Sequence, residues 1–305
     1  MINGTYKLGS KKIDLEKNFS SSKKINFHKI FKKTGIRFIH RTSKKENSHT
    51  LACEVGKKNL KNIKEKVESL IFLTQSPVST IPSSGSLLHN DLKLSENCYV
   101  LDVIQGCSSF PYAFNLVINL IKNKEFNNSL IICSETYTKN ILNNDKICLP
   151  IFSDAASSLF FNKETMPNLL SSIYLTDGRG HKNLCVNKKG ELFMNGVEVF
   201  SFTSEKVPYA VNELLKKANL QIKDISYFIF HQASKIVLDT IQQKLQIPKE
   251  KFYNKIELIG NTVSSTIPIG LIESFKNKKI LKGKPFLLMG FGVGYSLSGG
   301  IYKFD

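Results

Sequence analysis

The sequence predicts an α/β fold made of two similar halves. Along the 305 residues, short apolar runs typical of buried strands alternate with longer amphipathic runs typical of helices. The alternation occurs in residues 1–161 and again in residues 162–305, which we take as an N-terminal and a C-terminal half. No low-complexity linker separates them, so we expect the halves to pack closely, each with a largely parallel sheet.

Each element of the first half follows from a local pattern. Residues 9–36 are polar and rich in lysine, and we expect them to be mostly irregular. Leu51, Ala52, Val55 and Leu60 have helical spacing. The predicted strands are residues 2–8, 70–74, 99–104, 130–133 and a segment within 151–161, and the predicted helices are residues 50–60, 80–88 and about 110–121.

The second half repeats this pattern after a strand at residues 171–175. Residues 178–190 are rich in Gly, Lys and Asn and predict a loop. The further predicted strands are residues 225–230, 286–289 and 296–303, and the predicted helices are residues 207–218, 235–245 and 263–274.

Cys107 lies on the predicted turn between a strand and a helix. Gly106 permits a tight turn, and Pro111 suits the first turn of the helix that follows. A helix N-terminus favours negative charge, so a thiol here should ionise more easily and act as a nucleophile. A buried structural cysteine is the alternative, because free cysteine is among the most buried residue types.

The composition excludes several classes of protein. The chain has no run of about 18 apolar residues and no signal-peptide pattern, so we expect a cytoplasmic protein that does not span a membrane. Its six cysteines form no CxxC pair, which predicts neither disulfides nor a metal site. The net charge of +18 indicates an acidic partner or a solvated basic surface, and no motif points to nucleic acid.

Two polar residues of the second half also stand at the ends of elements. His231 follows the apolar run at residues 225–230, and Asn261 follows a glycine. Each alone is typical of a structural residue, but ligands gather at the carboxyl ends of strands in α/β folds, so we expect both near Cys107. Glu135, at another strand end, is a candidate for the pocket wall. The other histidines, expected to be exposed, are His28, His40, His49, His89 and His181.

Six short motifs follow one another along nearly the whole chain. They are TGIR at residues 34–37, the nucleophile stretch at 102–112, SDAASS at 153–158, HQAS at 231–234, GNT at 260–262 and GFGVG at 290–294. In this order the sequence resembles β-ketoacyl-acyl-carrier-protein synthase III, a condensing enzyme with the thiolase fold. The resemblance implies two similar α/β halves packed in five layers, α-β-α-β-α. Residues 194–200 and the FGVGYS ending are similar to a branch associated with surface-polysaccharide and amino-sugar pathways.

The resemblance implies an acyltransferase of fatty acid biosynthesis. Cys107 would carry the acyl group, and His231 and Asn261 would donate hydrogen bonds to a malonyl thioester carbonyl as carbon dioxide is lost. The carbanion would attack the acyl–Cys107 thioester and give a 3-oxoacyl thioester. The backbone N–H groups of Cys107 and Val293 would form the oxyanion hole. No cofactor is implied, because acyl-coenzyme A or acyl-carrier thioesters are the substrates.

The substrate-binding positions depart from the family pattern. Lys33 and Lys146 stand where the family has arginines near coenzyme A, and lysine lacks the planar bidentate fork. Ser234 replaces the asparagine of the family's HQAN motif. These departures argue against coenzyme A as the acyl donor and are compatible with an acyl-carrier-protein thioester, which a basic surface would suit, and the choice between the two donors stays open. The residue at Ile81 comes from the neighbouring subunit in the family and closes the acyl pocket, which implies a homodimer.

Three other interpretations remain open. An enzyme of the same fold would pass the acyl group of Cys107 to a hydroxyl or amine without decarboxylation. Cys107, His231 and Asn261 also occur in the chain order of papain-like cysteine hydrolases, although the local sequence around that cysteine is missing. The third is a non-catalytic dimeric scaffold that binds an acyl carrier.

Overall fold

Two β-sheets flanked by helices form the frame of the computed structural model, which describes residues 3–20 and 26–305. The strands are β1 (Asn3–Leu8), β2 (Lys11–Asp14), β3 (Phe38–Arg41), β4 (Ser69–Leu73), β5 (Tyr99–Val103), β6 (Asn128–Glu135), β7 (Ala155–Asn162), β8 (Asn168–Thr176), β9 (Leu184–Val186), β10 (Leu192–Met194), β11 (Tyr227–Phe230), β12 (Phe286–Gly292) and β13 (Ser296–Lys303). The helices are α1 (Leu15–Ser20), α2 (Phe27–Thr34), α3 (Ser48–Leu60), α4 (Ser84–Asp91), α5 (Ser109–Lys122), α6 (Gly196–Ala218), α7 (Lys235–Lys244), α8 (Ile256–Ile259) and α9 (Thr266–Lys276).

Each half of the chain supplies one large sheet. The first sheet has the strand order β1-β7-β6-β4-β5, and the second has the order β11-β12-β13-β8. Two short antiparallel pairs, β2 with β3 and β9 with β10, belong to neither large sheet. All strands of the first sheet come from residues 3–162, and all strands of the second come from residues 168–303.

Both large sheets are mixed, so the expectation of largely parallel sheets is wrong. In the first sheet β4 pairs in parallel with β5 and β6, whereas β7 runs antiparallel to β6 and β1. In the second, β11 is parallel to β12, but β13 runs antiparallel to β12 and β8. Residues 293–295 alone join β12 to β13, which is too short for the crossover that parallel pairing requires.

The helices complete five layers. α3 and α4 contact the first sheet, α5 and α9 contact strands of both sheets, and α6 contacts the second sheet and packs on α7. This order, α-β-α-β-α, confirms the predicted thiolase-like fold. Because helices cover both faces of the sheets, β4, β6 and β12 are buried along their whole length. No helix in the described part of the chain has the length and apolar character needed to cross a lipid bilayer.

Several elements differ from the predicted bounds. α6 begins at Gly196, where the Asn195 side chain accepts the Glu198 N–H, rather than at residue 207. Pro208 therefore lies inside the helix, a place that proline usually disfavours because it removes a backbone hydrogen bond. Residues 9–36, expected to be mostly irregular, contain β2, α1 and α2, and residues 21–25 of this stretch lie outside the described part.

Candidate active site

Cys107 lies in a tight 3-10 turn, Gly106–Ser108, that joins β5 to α5. Gly106 has a φ of 51°, and a Cβ atom at this position would lie 2.4 Å from Gln75 Oε1 and 2.7 Å from Val293 Cγ1. Only glycine fits such a turn, as predicted. Cys107 itself is 4% exposed, so the turn places its sulfur inside the protein at the start of α5.

The thiol of Cys107 is harder to ionise than the sequence predicts. Burial raises its pKa well above the ordinary value, and the nearby carboxyl group of Glu135 raises it further. The expectation of a lowered thiol pKa is therefore wrong, because loss of hydration outweighs the effect of the helix N-terminus. At neutral pH the thiol of the resting protein is protonated.

Glu135 ends β6 with its carboxyl group fully buried. The Gln75 N–H donates to its two oxygens at 3.0 and 3.2 Å, and Ser76 Oγ donates to Oε2 at 3.1 Å. Burial nevertheless raises the pKa of Glu135 to about 7. The carboxyl group therefore changes its charge in the neutral pH range. Its negatively charged form raises the pKa of the Cys107 thiol.

We expect Glu135→Gln to make the Cys107 thiol more reactive. The amide keeps an oxygen for the Gln75 N–H but removes the negative charge that disfavours the thiolate. Alkylation of Cys107 by iodoacetamide at pH 8 should become about 3- to 10-fold faster, and its pH profile should move to lower pH. Glu273→Gln, on α9, is the control. An unchanged profile in Glu135→Gln would show that this carboxyl group does not act on the thiol.

His231 directly follows β11 and is held by three contacts. Its backbone N–H donates to Met289 O at 2.9 Å, and its Nδ1 lies 2.7 Å from Thr266 Oγ1. Its ring meets the Phe291 ring edge to face, with centroids 5.5 Å apart. Burial lowers the pKa of His231 to about 3, so the imidazole is neutral at physiological pH.

Asn261 lies between α8 and the turn Val263–Ser265. Its side-chain oxygen accepts the Val263 N–H at 2.9 Å, which leaves the amide hydrogens as the donors of this side chain. Its backbone N–H donates to Ile151 O at 3.0 Å, and its backbone oxygen accepts the Ser153 N–H at 2.8 Å. The second half of the chain is thus hydrogen-bonded to the first at this residue.

The end of β12 brings Cys107 and His231 together. A Cβ atom at Gly290 would lie 2.6 Å from Cys107 O, and one at Gly292 would lie 3.4 Å from Cys107 Sγ. Phe291, between these glycines, contacts the imidazole of His231. Glycine is therefore needed at positions 290 and 292 so that β12 can approach Cys107 closely.

The turn after Asn261 completes this arrangement. Val263–Ser265 contacts Gly106–Ser108, the turn that carries Cys107. The structure thus brings the segments of Cys107, His231 and Asn261 to one place between the two sheets. All three residues are buried, which favours chemistry in a site from which bulk water is excluded.

A cavity of about 180 Å³ opens beside the turn of Cys107. Its walls include Gln75 and Val293, the two side chains that flank Gly106, and Tyr137, whose hydroxyl donates to Gln75 Oε1. The β9–β10 hairpin supplies a further wall. The lining residues are Gln75, Ile104, Tyr137, Asn140, Leu184, Cys185, Val186, Leu192 and Val293. The φ of Val293 is not positive, so valine is tolerated there without strain.

The four predicted substrate-binding residues do not form one cluster. Lys33 lies in α2 and Ser234 precedes α7, and these two helices pack together. The Ser234 hydroxyl makes no capping bond to α7. Lys146 is exposed in the loop before Cys148, and Ile81 is 94% exposed in the segment before α4. Within one chain, therefore, only Lys33 and Ser234 are on neighbouring elements.

Two other buried polar residues have structural roles. The carboxyl group of Asp154 accepts hydrogen bonds from the backbone and hydroxyl of both Thr42 and Thr138, so it joins two loops. His40 was expected to be exposed but is buried, with Nε2 3.2 Å from Leu258 O, and burial lowers its pKa. The polar residues that follow His40 in the sequence gave no sign that its side chain points inward from β3.

Comparison with known proteins agrees with this geometry. Residues 101–178 match the sequence profile of 3-oxoacyl-[acyl-carrier-protein] synthase III, and residues 215–304 match the profile of its C-terminal part. The β-ketoacyl-[acyl-carrier-protein] synthase III of Clostridium perfringens (strain SM101) is 30% identical over 294 residues, 90% of each chain. That of Wolbachia pipientis wMel is 30% identical over 276 residues, 87% of this chain and 86% of the relative.

Solved structures show the same relationship. A crystal structure of a 3-oxoacyl-(acyl-carrier-protein) synthase III superposes with a TM-score of 0.91 at 29% identity and covers 99% of both chains. The enzyme from Aquifex aeolicus VF5 gives a TM-score of 0.91 at 25% identity, again over 99% of both chains. The chain described here therefore belongs to the β-ketoacyl-[acyl-carrier-protein] synthase III family of condensing enzymes.

Proposed function

We propose that this enzyme loads an acyl group on Cys107 and condenses it with a malonyl-acyl-carrier thioester. The observation that supports this assignment is that the segments that carry Cys107, His231 and Asn261 come together near the end of β12, beside a cavity of about 180 Å³. The names of the relatives contain the acyl carrier protein, which agrees with an acyl-carrier thioester as a substrate. No cofactor takes part in this reaction.

The first step transfers the acyl group to sulfur. Cys107 Sγ attacks the carbonyl carbon of the acyl thioester, a new carbon–sulfur bond forms, and the donor's carbon–sulfur bond breaks. The proton of the Cys107 thiol leaves with the departing thiol. The N–H groups of Cys107 and Val293 are the proposed donors to the oxyanion, because Val293 directly follows Gly292, which packs on the sulfur.

The second step forms the carbon–carbon bond. The bond between the malonyl carboxylate and its α-carbon breaks, carbon dioxide leaves, and the electron pair passes into an enolate. His231 Nε2–H and the Asn261 amide donate hydrogen bonds to the enolate oxygen. The α-carbon then attacks the acyl–Cys107 carbonyl, and the bond between that carbon and Cys107 Sγ breaks. A 3-oxoacyl thioester departs, and the Cys107 thiolate takes a proton from water.

The Thr266 hydroxyl is hydrogen-bonded to Nδ1 of His231, the ring nitrogen opposite the proposed donor Nε2. This hydroxyl has one hydrogen and two acceptors in reach, His231 Nδ1 at 2.7 Å and Val263 O. When the hydroxyl donates to Nδ1, the neutral imidazole carries its hydrogen on Nε2, as donation to a carbonyl requires. We therefore propose Thr266 as a positioning residue for His231.

Removing the Thr266 hydroxyl should slow decarboxylation more than acylation. For Thr266→Val we expect malonyl decarboxylation by the acylated enzyme to fall about 10-fold, since one hydrogen bond that fixes the imidazole is lost. Acylation of Cys107 should change little, and Thr266→Ser should restore the rate. Equal losses in both half-reactions, or no rescue by serine, would contradict this role.

An acyl carrier protein and a second copy of the chain are the proposed partners. The net charge of +18 suits an acidic carrier. β5 is an edge strand of the first sheet and carries the exposed side chain of Tyr99, with exposed Ile104 just beyond it. Such an apolar edge, together with the protruding Ile81, supports a homodimer in which Ile81 reaches the partner's acyl cavity. A cytoplasmic location remains a prediction.

The proposed function is tested by intact-protein mass spectrometry. The enzyme is incubated with a panel of acyl-coenzyme A and acyl-carrier-protein thioesters, and then with malonyl-acyl-carrier protein. We expect one acyl group on Cys107, followed by its loss with formation of carbon dioxide and a 3-oxoacyl product. Transfer to a hydroxyl or amine without loss of carbon dioxide would instead support the acyltransferase alternative. Failure of Cys107 to acylate would contradict both.

A further inference from the structure

A second group of reactive side chains lies on the outer side of the first sheet. His49 and Cys53 are four residues apart on α3, so they share one face of that helix, and Asp91 is the last residue of α4. His49 Nε2 is 2.8 Å from Asp91 Oδ2 and 3.5 Å from Cys53 Sγ, and Cys53 Sγ is 3.7 Å from Asp91 Oδ2. These atoms all lie within 4.8 Å of one another.

The three atoms form a compact triangle. In a catalytic triad the nucleophile and the carboxylate contact opposite nitrogens of the histidine. Here the sulfur and the carboxylate oxygen both contact Nε2. A nucleophile and its base are therefore not arranged here, whereas a compact triangle of donor atoms is the arrangement of ligands around a metal ion.

The distances agree with those of a tetrahedral zinc site. From Zn–S of about 2.3 Å and Zn–N and Zn–O of about 2.1 Å, a tetrahedral angle places S and N about 3.6 Å apart, S and O about 3.6 Å, and N and O about 3.4 Å. The two separations that involve Cys53 Sγ match within about 0.1 Å. The separation between His49 Nε2 and Asp91 Oδ2 is shorter, as expected for a direct hydrogen bond that an ion would replace.

We propose that His49 Nε2, Cys53 Sγ and Asp91 Oδ2 bind one Zn²⁺ ion, with water as the fourth ligand. Asp91 is partly exposed, so water can reach the open position. The sequence predicted no metal site because it has no CxxC pair, and the carboxylate is 38 residues from the cysteine. The site becomes visible only when α3 and α4 pack against each other.

Two features set the strength of this site. His49 Nδ1 is buried and has no hydrogen-bond partner among residues 3–20 and 26–305, and the loss of such a partner typically weakens metal binding about 10- to 100-fold. Burial and Asp91 raise the pKa of Cys53 to about 11, whereas Lys57 lowers it. The ion therefore displaces a proton from the thiol, and binding should become tighter as the pH rises.

The bound ion would join α3 to α4. The segment that precedes α4 carries Ile81, the residue proposed to enter the partner subunit. The start of α4 is already held by Asp102, whose carboxylate accepts the Gly85 N–H at 3.0 Å. Zn²⁺ bound by Asp91 would fix the other end of the same helix. The ion would therefore stabilise the packing of α4 against α3.

The test uses Co²⁺ as a spectroscopic probe and then Zn²⁺ as competitor, with the purified metal-free full-length protein. We expect one Co²⁺ per chain with a thiolate-to-cobalt charge-transfer band and the d–d bands of tetrahedral coordination, all lost when Zn²⁺ is added. Cys53→Ser should lose the charge-transfer band. His49→Gln and Asp91→Asn should bind Zn²⁺ about 100-fold more weakly or worse, because even outer partners account for about 10- to 100-fold.

The control is Cys98→Ser, which removes a cysteine that is neither one of the three ligands nor part of the cavity lining, and it should keep the full cobalt spectrum. Acylation of Cys107 in every variant shows that the variant is folded, because none of these three ligands belongs to the proposed catalytic site. A wild-type protein that binds no Co²⁺, or binds it without a thiolate band, would overturn the proposal. So would a Cys53→Ser variant that keeps the band.

Discussion

Replacing Cys107 by alanine should abolish acyl-enzyme formation and lower condensation by about 10⁴-fold or more, the scale typical for loss of a covalent nucleophile. Gly290 packs against the backbone of Cys107, and a Cβ atom at Gly292 would lie 3.4 Å from its sulfur. The measurement is the mass of the intact protein after exposure to an acyl thioester, together with the rate of 3-oxoacyl product formation. The alanine side chain is smaller, so we expect the fold to persist.

The matched control for this variant is Cys98→Ala. Cys98 is also buried, but it directly precedes β5 and is not among the residues that line the cavity. It should retain both the acyl adduct and product formation. A Cys107→Ala protein that still carries an acyl group would show that another residue is the nucleophile.

His231→Ala should separate the two half-reactions. We expect acylation of Cys107 to be retained, while decarboxylation of the malonyl thioester falls about 10²- to 10³-fold, the usual cost of one donor to a developing oxyanion. The pKa of His231 is lowered to about 3, so its neutral form predominates from about pH 5 upward. Protonation of His231 should therefore cause no loss in the decarboxylation rate of the acylated wild-type enzyme between pH 5 and pH 8.

His40→Gln is the matched control, because His40 is also buried and also has a lowered pKa, but its Nε2 contacts Leu258 O. This variant should keep condensation. Single-turnover measurements on pre-acylated protein give the decarboxylation rate directly. Condensation at the wild-type rate in His231→Ala would refute the proposed role of the imidazole.

The order of motifs along the chain was enough to predict the fold. The catalytic roles of Cys107, His231 and Asn261 stay predictions, although their segments lie near one another. β13 has the predicted bounds, and Gly106 is required by its turn. The motifs succeed because each marks an element end, where backbone geometry restricts the choice of residue. GFGVG, for example, requires small residues because β12 packs against Cys107.

Properties that depend on the whole environment could not be predicted. The pKa of Cys107 is set by burial and by Glu135, and neither is visible in the local turn. Strand direction in the second sheet is set by the short connection between β12 and β13, whereas the alternation of elements suggested parallel pairing. The proximity of His49, Cys53 and Asp91 depends on how α3 and α4 pack, and the spacing of residues along the chain does not reveal this packing.

The β9–β10 hairpin has a consequence for how the substrate range of this enzyme can change. It lines the cavity through Leu184 and Leu192, yet it belongs to neither large sheet and carries none of the proposed reacting groups. Evolution can therefore lengthen, shorten or exchange this hairpin to alter which acyl chains fit, without disturbing the chemistry at the sulfur. For engineering, it is a natural module to graft from one homologue to another.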